Sequence, residues 1–438
     1  MENNGKFTNK WGFIMACVGS AVGLANVWAF PYKLGMNGGL SFLIPYLFFV
    51  FIFGRVGLAA ESAVGRKYKS GPMGVFKSVW KSRGNEKLGK IIRWIPLIGV
   101  FLLAIGYTVV ITYVLKALID SINGSLLSTD SNVWFESIST KDFVLLKEHL
   151  LLVIIVFLTL AYGTKGIEKT NSFMMPLFFI LFIILAVRIA FLDKAFEGYK
   201  FIFSMDVSKL FDIKLWIAAM GQAFFSLSLV STVMVVYGSY LPESEDIVHN
   251  STITAVLDTI AAMLSSFVML PATFAFGFSQ SEGPKLIFVV LPKVLQNISG
   301  GRLFAVILYI AIVFAGVLSV QSMIETVAEA ITSKFNNLNR NLVLVVLMAI
   351  VLMAGLFLHP IAKWGVWMNF VTIYILPISA IMGAISWFWV MKKEDLLDEI
   401  NKGTKIKHKN AWYYLGRYLY VPMALILCII AIRYQISF

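Results

Sequence analysis

Long apolar runs recur along this chain from end to end, Ile154–Leu160 and Leu342–Leu358 among them. About 20 apolar residues span the hydrocarbon layer of a bilayer. In lipid, only helices and closed barrels satisfy every backbone polar group. These runs are too long and unbroken for barrel strands, so they predict helices. Of the 438 residues, 59% are hydrophobic and only 14% charged, against about 25% charged in a soluble domain. One soluble core cannot hide that much apolar surface. The fold class expected is an all-α polytopic membrane protein.

The pattern predicts eleven transmembrane helices, near 11–34, 41–65, 89–122, 146–162, 167–192, 214–241, 246–277, 302–335, 340–358, 365–391 and 412–436. The net charge of +13 is not spread like a nucleic-acid surface. Nine Lys or Arg fall between Arg66 and Arg93, opposed only by Glu86. A second cluster comprises Lys392, Lys393, Lys402, Lys405, Lys407 and Lys409. Both lie between apolar runs, as the positive-inside rule expects of cytoplasmic loops. No nucleic-acid partner is expected. The N-terminus is placed in the cytoplasm and Phe438 outside, in a cell inner (plasma) membrane. Glu243, Glu245 and Asp246 sit in an expected inner loop, but acids contribute little to topology. Residues 123–145 and 279–301 read as outer loops, the second dipping onto the protein, and 73–82 as a short interfacial helix. His149, His249, His359 and His408 lie scattered in or near loops, and no nucleophile–base pair appears, so no enzyme is expected.

Two runs are interrupted near their middles by small and polar residues. The first span contains Gly19-Ser20-Ala21-Val22-Gly23-Leu24-Ala25-Asn26, and the sixth Gly221-Gln222-Ala223-Phe224-Phe225-Ser226-Leu227-Ser228. Small residues also serve close helix packing, and either segment alone reads that way. Paired five spans apart, they point to broken helices around a binding site, a rule drawn from secondary transporters themselves.

These segments, with Phe30-Pro31-Tyr32, Asn37-Gly38-Gly39, Ile44-Pro45-Tyr46, Glu61 with Gly65-Arg66, and Lys165-Gly166-Ile167-Glu168-Lys169, resemble the neurotransmitter:sodium symporter family. The resemblance runs from Trp11 to about Arg433 and is closest to a bacterial eleven-helix branch that includes a tyrosine transporter. It implies a leucine-transporter-like 5+5 inverted repeat with helices 1 and 6 unwound at mid-membrane. The division expected is 1–10 (cytoplasmic segment), 11–192 (first repeat), 193–391 (second repeat) and 392–438 (inner loop and helix 11).

A broken helix exposes carbonyls that suit a hard cation and amides that suit a carboxylate. The resemblance implies a first sodium at Ala21, Asn26, Ser226 and Asp258, completed by the substrate carboxylate. Read alone, Asp258 also fits a helix-to-helix ion pair. The implied amino-acid site comprises Ala21, Gly23, Leu24, Ala25, Leu103, Tyr107, Phe225, Ser226, Ser228, Ser231 and Met323, with Tyr107 donating to the carboxylate. Each of these alone reads equally as packing. A second sodium would use Gly19, Val22, Ala315 and Ser319, but Leu318 stands where the family places an oxygen ligand. The outer-gate arginine falls at Ala29, its acidic partner near Met368-Asn369, and the inner-gate aspartate at Ser333. Val230-Ser231-Thr232 replaces a Gly-bulky-Gly turn. Chloride is not expected to be required, because Asp258 supplies a fixed negative charge. Ser231 at the pocket floor, with Ser228 and Gln222 near, favours tyrosine over leucine. The function implied is sodium-coupled symport of a large neutral, aromatic amino acid; the alternative is a non-transporting binder or sensor on the same fold. Arg55, inside an apolar run, has no role in either reading.

Overall fold

The computed structural model describes residues 6–229, 232–278, 285–335 and 337–436, and the regular structure among them is all helical. Among the described residues, seven helices are long and apolar enough to cross a membrane: Leu40–Tyr68, Glu86–Asn123, Gly163–Ala190, Ile247–Ala275, Gly301–Lys334, Ile361–Val390 and Asn410–Tyr434. The pair Lys10–Ala21 and Ala25–Asn37 passes the same test jointly and bends by 56° at its break. The segments expected as the fourth, sixth and ninth spans form shorter helices: Leu146–Leu160, Ile213–Ser226 followed by Val233–Ser239, and Arg340–Leu356.

Local chemistry sets the ends. The Asn9, Asp212, Asp246 and Asn339 side chains each accept a backbone N–H of the turn they precede, satisfying donors that a helix start leaves free. Gly38 closes the helix Ala25–Asn37 with φ 87°, a conformation that favours glycine. Between helices, small residues let backbones meet. A Cβ added to Gly65 would lie 1.9 Å from the Val235 carbonyl oxygen, and one on Gly238 2.3 Å from that of Ser62. The helix Leu40–Tyr68 therefore touches Val233–Ser239 main chain to main chain. Phe173, Ile180, Ile183 and Val187 of Gly163–Ala190 stay exposed, as a lipid-facing helix requires.

The face carrying the N-terminal segment is tied by polar contacts. Thr8 donates its backbone N–H and its hydroxyl to Glu168, at 2.9 and 2.6 Å, and Asn9 donates to the same carboxylate at 2.9 Å. Arg66 is fully buried there. Its guanidinium donates to the Glu399 carboxylate and backbone, each at 2.6 Å, and to the Glu245 carbonyl at 2.7 Å.

Three expectations need correction. The stretch 279–301 is not simply a loop: Leu286–Gln296 is an apolar helix whose hydrophobic side chains are buried, while 279–284 lie outside the described residues. Helix Pro72–Lys81 buries Met73, Val75, Phe76 and Val79, with Phe76 4.8 Å from the Trp387 ring, so it packs on protein. The histidines are not all scattered. His149 and His359 meet in the interior, Nδ1 to Nε2 at 3.1 Å, with rings stacked.

Candidate functional site

The first break begins at Val22, whose ψ of 114° leaves the helix while its N–H still reaches the Val18 carbonyl at 2.7 Å. The helix restarts at Ala25. Asn26 steadies the gap: its amide oxygen accepts the Gly23 N–H at 3.0 Å. A Cβ added to Gly23 would sit 2.6 Å from the Ser319 hydroxyl oxygen, so a larger residue there would have to turn that hydroxyl away. In the sixth segment the helix ends at Ser226 and resumes at Val233. Ser228 and Thr232 take left-handed φ values of 56° and 54°. For a β-branched threonine that is a strained position. Val230 and Ser231 lie outside the described residues.

The two gaps face one another around Asp258. The Asn26 amide nitrogen donates to the Asp258 carboxylate at 2.7 Å, its backbone oxygen at 3.0 Å and the Ser226 hydroxyl at 3.1 Å. Ser226 donates to the other Asp258 oxygen at 2.7 Å. All three side chains are fully buried. Among the described residues no basic side chain pairs with Asp258, so a carboxylate sits in the interior with neutral partners only. The buried Tyr46 hydroxyl, which sequence reasoning missed, lies against Asp258 without a well-formed hydrogen bond. Carboxylate, hydroxyl and a nearby helix-break carbonyl are hard-oxygen donors that fit a monovalent cation. A half-turn of the Asn26 amide would present its oxygen as well.

The proposed second cation position is less complete. Ser319 donates to the Val22 carbonyl at 3.2 Å. Leu318 is fully buried, its Cδ1 3.1 Å from where a Gly19 Cβ would stand. Ala315 is buried on the same helix. The Asn171 amide oxygen lies 2.0 Å from that same Gly19 point and has no partner. Its orientation is fixed, because its nitrogen donates to the Ile167 carbonyl at 2.7 Å and to Gln321 at 2.8 Å.

Above the first cluster is a cavity of about 310 Å³, lined at its base by Leu24, Ala25, Tyr107 and Phe225. The Tyr107 hydroxyl meets the Ala25 backbone. Ala21, Gly23, Leu103 and Met323 are buried and do not line this cavity, and Ser228 donates to the Ser20 carbonyl at 3.0 Å. Gln222 does not join the cavity; it donates to the Ala25 carbonyl at 3.0 Å. Higher up, Trp28 stacks on Trp364 at 6.1 Å, and Ala29, Met368 and Asn369 form an uncharged rim. Lys33, one turn beyond Ala29, also lines the cavity and forms no ion pair among the described residues. Sequence reasoning missed both tryptophan and lysine; the i, i+4 spacing from Ala29 was the available signal for Lys33.

The model of the sodium:neurotransmitter symporter family matches residues 4–147 and 134–437. The sodium-dependent transporter YhdH of Bacillus subtilis (strain 168), itself described as uncharacterized, is 31% identical, over 99% of this chain and 98% of its own. The sodium-dependent dopamine transporter of Bos taurus is 24% identical, over 82% of this chain and 58% of its own. The crystal structure of MhsT in complex with L-phenylalanine superposes with a TM-score of 0.84 at 29% identity, covering 98% of this chain and 99% of that one.

Proposed function

This chain belongs to the sodium:neurotransmitter symporter family, and from that premise we propose that it carries a large neutral, aromatic amino acid across the membrane with sodium, by alternating access. The observation that carries the reading is the buried Asn26–Ser226–Asp258 cluster, an uncompensated carboxylate where two helices break. Sodium, taken up as co-substrate, neutralises Asp258 and is held by Asn26, Ser226 and the Ala21 carbonyl. The amino acid lies across it. Its carboxylate completes the sodium shell and meets Tyr107 and the amides of Gly23, Leu24 and Ala25. Its ammonium meets carbonyls near Ala21, Phe225 and Ser228. Phe225 closes over the ligand, and Leu103, Ser231 and Met323 surround its side chain. Two inverted repeats, 11–192 and 193–391, in an eleven-helix chain with the basic face in the cytoplasm, complete the proposal. Binding of L-phenylalanine by MhsT supports an aromatic substrate; Ser231 favours tyrosine through its hydroxyl.

The test is equilibrium binding of tritiated tyrosine in detergent, competed by unlabelled amino acids, across a sodium titration. Tyrosine and phenylalanine should outcompete leucine and alanine. Asp258→Asn should shift the sodium midpoint upward by about tenfold or more. Unchanged sodium dependence in that variant would remove Asp258 from the site. Counterflow of labelled tyrosine in proteoliposomes separates transport from binding alone. Uptake should survive replacement of chloride by gluconate, because Asp258 supplies the charge that a mobile anion would otherwise provide.

A further inference from the structure

Arg55 sits in the wide turn Phe53–Leu58 of the helix Leu40–Tyr68, beside the antiparallel helix Ile247–Ala275. Between these helices runs a groove of about 340 Å³. Its floor is made where Gly54 meets Ala255: a Cβ added to the glycine would lie 2.6 Å from the alanine Cβ. Its walls are exposed and apolar, with Leu47, Phe51, Val256 and Ile260 between 42% and 60% accessible. From Leu47 to Arg55 the groove follows the helix for about 12 Å. Arg55 and Thr252 close one end.

The guanidinium at that end is unmatched. It stacks on the Phe51 ring at 5.3 Å, and among the described residues no carboxylate or carbonyl accepts its protons. Its depth is set by Trp412, whose indole donates to the Arg55 carbonyl at 2.8 Å. Trp412 is at the start of the helix Asn410–Tyr434, directly after the basic loop bearing Lys402, Lys405, Lys407 and Lys409. Arg55 thus lies at the level where the hydrocarbon ends. An arginine at that level can extend its charged end to the lipid headgroups. A guanidinium fork matches phosphate oxygens, and the rest of the groove offers only hydrocarbon contact.

We propose that this groove binds one acyl chain of an anionic phospholipid, whose phosphate pairs with Arg55, in the leaflet facing the basic loops. The site is separate from the amino-acid pathway and does not depend on what is transported.

Native mass spectrometry of the full chain in detergent tests this, with dioleoyl phosphatidylglycerol and dioleoyl phosphatidylcholine in equal amounts. The wild type should retain one tightly held phosphatidylglycerol, preferred about fivefold, the effect expected of one cation at a membrane surface. Arg55→Gln should abolish that preference, while Val256→Trp should fill the groove and release both lipids. A wild type that holds the two lipids equally, or an Arg55→Gln protein that keeps the preference, overturns the proposal. If Arg55→Gln does not fold, a measurement on the wild type decides. Millimolar glycerol 3-phosphate should leave the lipid bound, because the chain supplies the anchorage; displacement by it would overturn the lipid assignment.

Discussion

At the scale of single residues, Gly19 joins two incomplete groups. Leu318 puts a methyl where a cation would want an oxygen, and the neighbouring Asn171 oxygen has no partner. A buried acceptor left unpaired is destabilising, and a hydroxyl at 318 would give a cation there another ligand. Leu318→Thr should therefore lower the sodium midpoint for stabilisation against heat by about tenfold, the worth of one contact to a charged group. An unchanged midpoint would mean that residue 318 does not face the cation. Asn26 and Ser226 drew notice because each lies in a helix interruption of unusual composition, whereas Asp258, in the middle of the helix Ile247–Ala275, was grouped with them only through the family resemblance. Asn171, Tyr46 and the His149–His359 pair were not. Their significance comes from side chains meeting across helices far apart in sequence, and an isolated Asn or Tyr in an apolar run carries no sign of its partner.

At the scale of elements, the breaks themselves were readable. Gly23 and the polar Asn26 disfavour continuous helix, and across the gap the Asn26 amide oxygen accepts the Gly23 N–H. The helix Leu286–Gln296 escaped because it is short, with Pro284 just before it and Pro292 inside it, a pattern shared with loops. The contact of Leu40–Tyr68 with Val233–Ser239 was hidden too, since a glycine in a helix does not say which backbone it faces. That contact is steep. Gly65→Ala drives a methyl into the Val235 carbonyl, and the two main chains cannot yield as a flexible side chain would. The variant should lose about 1–3 kcal/mol of stability, read as a lowered melting temperature, whereas alanine at Gly365, which has nothing within 4 Å, should not.

At the scale of the whole molecule, acid sensitivity is expected where His359, in the turn after the helix Arg340–Leu356, meets His149 of the helix Leu146–Leu160. Burial pushes the His359 pKa down to about 4, against a smaller upward pull from Asp142, which is itself paired with Lys363 at 2.8 Å. Around His359 stand His149, whose ring stacks on it, Tyr113, whose hydroxyl donates to its backbone carbonyl, and Glu148 with its partner Lys116. A folded-state pKa below the unfolded value near 6.5 means that the unfolded chain binds more protons. The stability held by neutral His359 is present above pH 6.5 and drains away as pH falls toward 4. Melting temperature should fall over that window, and His359→Gln should flatten the profile; a parallel profile would place the acid sensitivity elsewhere. The Arg66–Glu399 pair reaches across the molecule in another way. Losing Glu399 leaves the buried Arg66 guanidinium only backbone carbonyls, and losing Arg66 leaves buried Glu399 only the exposed Lys402 at 3.1 Å; breaking a buried pair costs up to about 3–5 kcal/mol, while losing both together strands neither charge. Single substitutions at these positions thus lead into a valley of fitness, and the chain's descendants can cross it only in coordinated steps. Positions 66 and 399 form one heritable unit, and their residues should covary across the lineage though 333 positions separate them.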